Sequence, residues 1–411
     1  MNDWKKVKLG EVCKIKSGKR LPKGCEFSDT PTKYKYIRAR DIKNGIINGE
    51  ELAYITEETQ YKISKYIVNS DDIVITIVGA SVGDVAYISS QYNGVNLTEN
   101  AVRLTQFNTD VNSRYLFYIL NSPNYYQLMQ RIAGGAAQPK MGIYKVEAIE
   151  VYLPSLSTQQ RIATILSRYD SLIENYQKQI KLLEESAQRL YKEWFIDLRF
   201  PGHENTKIVD GIPEGWEKKT IADVCTMISS GSTPSRSIKG YWDKGTIRWV
   251  KTKELLDGWI LDTEEYITQD GYNNSSTKLF PPNTILMAIY ASPTLGRLGI
   301  LSTECCCNQA ALGLIADENA ISWQWLFWKL YELRDEFNAI ARGAGQQNIS
   351  GIVVKNKEIV IPTRKIINWF TSVVSSMFEQ QKNLTTQIRH LTEARDRLLP
   401  KLMSGEINVN R

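Results

Sequence analysis

The sequence predicts a mixed α+β fold: two α/β domains in tandem pseudo-repeat, each followed by a long helix, with the two helices paired as an antiparallel intramolecular coiled coil. Three observations predict it. The 411-residue chain says nearly the same thing twice, a helical hydrophobic seam follows each copy, and a glycine- and proline-rich stretch separates the copies.

The repeat comes first. Trp4–Cys13 (WKKVKLGEVC) returns as Trp216–Cys225 (WEKKTIADVC), and Ile37–Gly45 (IRARDIKNG) as Val250–Gly258 (VKTKELLDG). Tyr54-Ile55-Thr56 recurs as Tyr266-Ile267-Thr268. The strand-like Asp72–Ile77 matches Thr284–Ile289, each leading to a loop closed by a glycine, Gly83 or Gly296. Tyr115–Tyr118 (YLFY) matches Trp325–Trp328 (WLFW), each just after a serine, Ser113 or Ser322. Gln138 and Gly142 match Gln347 and Gly351, and the halves close on Pro154 and Pro362. The offset stays between 208 and 213, which chance matches would not keep. The aromatic residues at 115, 118, 325 and 328 recur at helical spacing and read as domain core.

A long helix follows each proline. Ser157–Gln160 has capping-box spacing, and Thr363 suits the N-cap of the second helix. The first seam steps through Ile162, Leu166, Tyr169, Ile173, Tyr176, Ile180, Leu183, Ala187, Leu190 and Trp194. The second steps through Ile367, Phe370, Val374, Met377, Gln381, Leu384, Ile388, Leu391, Arg395, Leu398 and Leu402. Steps of four and three sustained this far are a coiled-coil pattern; Gln381 and Arg395 cost stability inside it and are candidates to set register. Pro400 is expected to bend or end the second helix one turn early. The boundaries that follow are a first domain over 1–154, a central helix over 155–200, a linker over 201–215, a second domain over 216–362 and a C-terminal helix over 363–411. With pseudo-twofold packing the helices would run antiparallel and hold the domains at opposite ends.

Composition narrows the class. No apolar run approaches the ~18 residues of a membrane span, and no basic-then-apolar leader stands at the N-terminus, so a cytoplasmic address is expected. Cys13, Cys25, Cys225 and Cys305-Cys306-Cys307 lack zinc-site spacing and read as small buried hydrophobes. The formal charge is +6, but Met1–Lys43 alone carries thirteen Lys/Arg against five Asp/Glu. That patch suits a polyanion; a solvated surface explains it equally well.

Catalytic chemistry has few carriers. The histidines are only His203 and His390, and neither a phosphate-binding G-x-x-x-x-G-K-[ST] loop nor an Asn-Pro-Pro-aromatic tetrapeptide occurs. Asp71-Asp72 could be half of a metal site, but its counterpart is Asn283-Thr284, which favours turn residues.

Four segments resemble one family. Thr158–Ala163 (TQQRIA), Leu190–Leu198 (LYKEWFIDL), Gly211–Trp216 (GIPEGW) and Leu391–Ile407 (LTEARDRLLPKLMSGEI) closely resemble specificity subunits of type I restriction-modification systems, and the likeness spans the chain. One departure is the start of the second helix, Thr363–Ile367 (TRKII), which lacks the Gln-Gln-Arg-Ile pattern. The resemblance implies a non-catalytic, DNA-binding subunit in phage defence, whose globules are target-recognition domains that each read half of a bipartite double-stranded DNA site. It implies helices that act as spacer and as docking surface for two modification subunits, which methylate adenine. No cofactor is then held by this chain; S-adenosylmethionine belongs to the modification subunits, and ATP and magnesium to restriction subunits that cleave DNA.

Base-edge and phosphate contacts call for Arg, Lys, Asn, Gln or Ser on loops. The first half offers Lys19, Arg20, Arg38, Arg40, Lys43, Ser81, Gln138 and Lys140, and the second Lys251, Lys253, Ser292, Arg297, Gln347 and Asn348. Each also reads as an ordinary solvated surface residue. Two alternatives stand beside this reading: a specificity subunit of a related methyltransferase or defence complex, and a coiled-coil adaptor without DNA binding.

Overall fold

A computed structural model describes residues 4–49, 52–134, 139–290, 294–343, 348–407 and 409. The chain forms two compact units, Met1–Leu172 with Leu391–Arg411, and Ile173–His390. The long helix Leu156–Tyr191 starts in the first unit and ends in the second, and the long helix Arg364–Met403 does the reverse.

In the first unit the main sheet is antiparallel, in the order Lys14–Ser17, Ala101–Thr105, Ile73–Thr76, Val85–Tyr87. Its two central strands are buried at every residue, as expected of strands covered on both faces. Alternation sorts them: Ile73 and Ile75 join a core with the helix Ser113–Leu120, while Val74 joins a second core with Ile37, Ile42 and Leu97. A side sheet orders Ala53–Ile55, Tyr34–Ile37 and Asn96–Leu97, and Lys5–Lys8 closes the unit by pairing with Glu150–Leu153.

The second unit repeats this plan. Its main sheet runs Cys225–Ser230, Ala311–Ala316, Ile285–Ala288, Leu298–Leu301, Gly258–Ile260. Ile285 and Met287 face one core and Leu286 and Ala288 the other. The fifth strand pairs in parallel, Gly258 opposite Gly299; in the first unit the same place holds a single parallel bridge, Gly45 to Ala86. The side sheet is Glu265–Ile267, Ile247–Val250, Cys306–Cys307, and the closing pair is Glu217–Thr220 with Glu358–Ile361.

The duplication reaches single hydrogen bonds. The Thr56 and Thr268 hydroxyls cap the short helices that follow them, and Asn112 and Ser322 cap the helices that carry the aromatic tetrads. Asp71 and Asn283 share a left-handed turn, at φ 70° and 65°. The Asp72 carboxylate accepts the Asn69 amide within that turn, 2.8 Å away, so the acidic pair is turn chemistry. Tyr115, Tyr118, Trp325 and Trp328 are buried in their cores.

No residue named for the two seams is exposed. In the first unit Ile162 and Leu166 share a core with Leu398 and Leu402, and in the second Ala187 and Tyr191 share one with Ile367, Phe370 and Val374. Arg395 is not an uncompensated intruder. Its guanidinium donates to Asp170 at 2.9 Å, and Asp170 also accepts the Tyr118 hydroxyl. Gln381 is buried, and its Nε2 has no hydrogen-bond partner among the described residues.

Three local expectations change. The first helix is capped by Ser155 rather than Ser157, since Ser155 Oγ accepts the Thr158 amide and its carbonyl the Gln159 amide. Pro400 does not end the second helix, which continues to Met403; the proline nitrogen donates no bond, but the turn beyond it is closed by the Ser404 amide on Pro400 O at 2.9 Å, the Ile407 amide on Lys401 O at 3.2 Å and the Gly405 amide on Leu402 O at 3.3 Å. The stretch 201–215 is folded: Ile208–Val209 and Ile212–Pro213 form a hairpin over a turn with Asp210 and Gly211 both at positive φ, and flanking Phe200 and Trp216 pack with Ile366.

Candidate nucleic-acid interface

Strand directions bring distant loops of the first unit to one end of its main sheet. Ser17 lies opposite Val102 and Thr76 opposite Ala101, so the turn after Ser17, the approach to Ala101 and the loop after Thr76 converge. The last segment joins them through Gly79 N–H to Pro139 O at 3.0 Å and a bridge between Val78 and Lys140. The side sheet delivers Arg38, because the Thr98 amide donates to Ile37 O. The second unit repeats the convergence with Ser230 opposite Leu312, Ala288 opposite Ala311, a bridge between Tyr290 and Asn348, and the Asn308 amide on Val250 O.

Gly18 and Gly231 make the convergence possible. A Cβ on Gly18 would lie 2.1 Å from Thr98 O, and one on Gly231 2.0 Å from Cys307 O. Only a residue without a side chain lets these backbones approach. The adjoining bonds, Lys19 N–H to Leu97 O at 2.8 Å and Ser232 N–H to Cys307 O at 2.9 Å, fix each turn.

The sequence candidates divide by how they are held. Lys19, Arg20, Arg40, Lys43 and Lys140 are exposed at this end of the first unit. Arg20 pairs with Glu99 at 2.6 Å, and Lys43 lies near Asp84, whose carboxyl burial pushes up while the lysine pulls it down. Arg38 is largely buried and grips Asp41 with two donors, at 2.9 and 2.8 Å, so it orders the turn that presents Arg40. Ser81 is half-buried, its carbonyl accepting the Asp84 amide.

In the second unit Lys251 pairs with Glu265 at 2.7 Å and Glu264 at 3.1 Å, and Lys253 with Glu264 at 2.7 Å. The hydrogen bond to Glu265, ahead of the other contributions, holds the Lys251 ammonium above its ordinary value. Arg297 is half-buried and Asn348 exposed. Gln138, Ser292 and Gln347 lie outside the described residues. The first unit thus presents several exposed cations, and the second a cluster of paired charges.

Comparison with known proteins bears on these paired units. The sequence family described as "Type I restriction modification DNA specificity domain" matches residues 1–185 and 213–390. The chain belongs to that family.

The MjaIX type I restriction enzyme specificity subunit of Methanocaldococcus jannaschii is 29% identical, over 99% of this chain and 94% of its own length. The HindI specificity subunit of Haemophilus influenzae is 23% identical, over 99% of this chain and all of its own. The crystal structure of the S subunit from M. genitalium superposes with a TM-score of 0.61 at 16% identity, covering 97% of this chain and 96% of that one, and shares the fold. Specificity subunits are the non-catalytic, DNA-addressing members of their enzymes. Among the described residues no helix is long and apolar enough to cross a membrane, and no group of His, Cys, Asp and Glu is placed to hold a metal. The buried thiols of Cys13 and Cys305 and the half-buried thiol of Cys225 are pushed up to about 12 by desolvation, which suits packing rather than reactivity.

Several positioning residues of this specificity subunit escaped sequence reasoning. Arg334 donates to Gly296 O at 2.8 Å and to both carboxylate oxygens of Asp257, holding the backbone at Gly296 in place. In the first unit Gln130 performs that task by donating to Val82 O. Both lie on helices far along the chain from their loops, and the only signal available was their nearness to the repeated aromatic helices. Gln159, inside the family-like TQQRIA segment, is buried; its Oε1 accepts the Asn112 amide while its Nε2 donates to Asp110 O and Pro154 O. It locks the start of the first long helix to the cap of the helix Ser113–Leu120.

Proposed function

We propose that the chain is the specificity subunit of a type I restriction-modification complex, in which the converging loops of each unit read one half of a bipartite DNA site. One observation carries the reading: both units gather, at the same end of the same sheet, the loops that bear the polar and cationic candidates. Such an end is a rigid scaffold presenting short loops, as base readout requires. On this reading residues 1–154 and 216–362 are the target-recognition domains, and the helical stretches 155–200 and 363–411 space them and dock two modification subunits. The chain brings the address, its partners bring S-adenosylmethionine for adenine methylation, and restriction subunits with ATP and magnesium bring cleavage, all in the cytoplasm.

The purified chain, alone and with its modification partner, should shift duplex DNA in a salt-dependent manner, with log affinity falling linearly against log salt. Absence of any salt-sensitive binding from both preparations would favour an adaptor that does not touch DNA. The chain alone should transfer no methyl group from S-adenosylmethionine, and should gain transfer on addition of the partner.

A further inference from the structure

The segment after the Gly231 turn carries a guanidinium that no expectation included. Arg236 stacks on the Trp242 indole, its Cζ 3.5 Å from the ring centroid, and lies 5.0 Å from the centroid of Trp249. The two indoles meet edge to face at 5.0 Å, and the Trp249 indole N–H donates to Ser232 O, tying this platform to the loop-bearing end of the sheet. Glu265 forms an ion pair with the guanidinium at 2.6 Å and takes Lys251 on its other oxygen. About half of the Arg236 side chain remains exposed, over an open cleft lined by Lys244, Glu264 and Tyr266.

We propose that Arg236 is a specificity-determining residue that reads a base edge in the half-site of the second unit; this rests on the function proposed above. A guanidinium stacked on one face and held by an ion pair keeps its in-plane donors in a restricted direction. That is the preorganised fork which guanine N7 and O6 accept in the major groove. Charge argues against phosphate as its target. Glu264 and Glu265 offset two of the three charges of Arg236, Lys251 and Lys253, so the cluster gains less from counterion release than free cations would and offers oriented hydrogen bonds instead.

The first unit sharpens the point. Trp249 corresponds to Tyr36, which makes an edge contact with Phe27 at 5.4 Å, yet the cation–ring pairs in the cluster around Tyr36 are Lys19 with Tyr66 and Lys33 with Tyr34, and the stacked guanidinium of that unit, Arg114 on Tyr87, lies elsewhere, on the helix Ser113–Leu120. A guanidinium stacked at this side-sheet position is thus a difference between two otherwise repeated scaffolds, and two half-sites of different sequence need such differences.

The test uses the complex assembled with its modification subunits and a DNA library randomised in both specific blocks, read by methylation. Arg236→Lys keeps the charge and loses the fork; Arg236→Ala loses both. Each should relax preference at one position of one block by tenfold or more, leave the other block untouched, and keep the salt slope of binding. Loss of affinity that is uniform across sequences, with a salt slope lower by about one, would make Arg236 a phosphate contact and overturn the proposal. A lowered unfolding midpoint with unchanged base preference would make it a structural latch and overturn it equally. If the wild-type complex itself selects no bipartite site, the underlying function fails, which is distinguishable from failure of Arg236 alone.

Discussion

Gly18→Ala and Gly231→Ala offer a paired perturbation whose consequences follow from geometry. The added Cβ would sit 2.1 Å from Thr98 O and 2.4 Å from Leu97 O in the first unit, and 2.0 Å from Cys307 O in the second. Real Cβ contacts stay beyond 3.0 Å, so the turn and the neighbouring backbone must part by about 1 Å. That motion strains Gly18 N–H to Ala101 O and Lys19 N–H to Leu97 O, or their counterparts Gly231 to Ala311 and Ser232 to Cys307. Overpacking costs about 1–3 kcal/mol and each of the two weakened bonds about 0.5–1.5, so a destabilisation of about 2–6 kcal/mol is expected. Gly240→Ala is the control, because its Cβ would meet nothing within 4 Å. Urea unfolding of the full chain measures the stability term, and methylation of randomised half-sites by the assembled complex measures recognition. Gly18→Ala should impair one half-site by tenfold or more and Gly231→Ala the other. Both variants altering the same half-site, or both matching Gly240→Ala in stability and recognition, would refute the placement of these turns at the reading ends.

Other consequences follow. Asp170→Asn should destabilise the chain by about 1–3 kcal/mol, because Arg395 and the nearby Arg114 lose their carboxylate in a site only about a quarter exposed; an unchanged urea midpoint would show that the pair contributes nothing. Glu184 is pushed up to about 7 by burial, with repulsion from Asp257 adding to it, so the folded chain binds its proton more tightly than the unfolded one. Its contribution to stability is therefore present at acidic pH and lost as pH rises from the ordinary glutamate range to about 7; Glu184→Gln should flatten that part of the stability–pH curve, and an unflattened curve would contradict the assignment. Removing seven residues from each long helix, Ile173–Gln179 and Thr385–Leu391, shortens each by about 10 Å in seam phase and should shrink the unread DNA gap by about three base pairs. The second cut avoids Phe378, which is buried and whose carbonyl accepts the Trp259 indole N–H; an unchanged gap in an active complex would leave the helices as docking surface only.

The sequence showed what repeats. Period and offset located both copies, both long helices and the aromatic helices, because buried faces impose their spacing on the chain. What it concealed depends on contacts between residues far apart in sequence. Arg38 was legible as a cation near the right loop, but not as the internal partner of Asp41. Lys251 and Lys253 looked free until the side sheet placed Glu264 and Glu265 beside them. The polar seam position Arg395 looked like a cost, and its compensation by Asp170 lies 225 residues away. Pro400 failed as a stop signal because amides beyond it, from Ser404, Gly405 and Ile407, close the last turn on Pro400 O, Leu402 O and Lys401 O.

The central claim is that this one chain addresses a modification enzyme to a bipartite site. Methylation-sensitive long-read sequencing of the host genome, with the chain present, deleted and restored, tests it most directly. The account predicts adenine methylation in a motif of two short specific blocks around an unread gap, lost on deletion and regained on restoration. A full set of bipartite motifs that persists without the chain would contradict it.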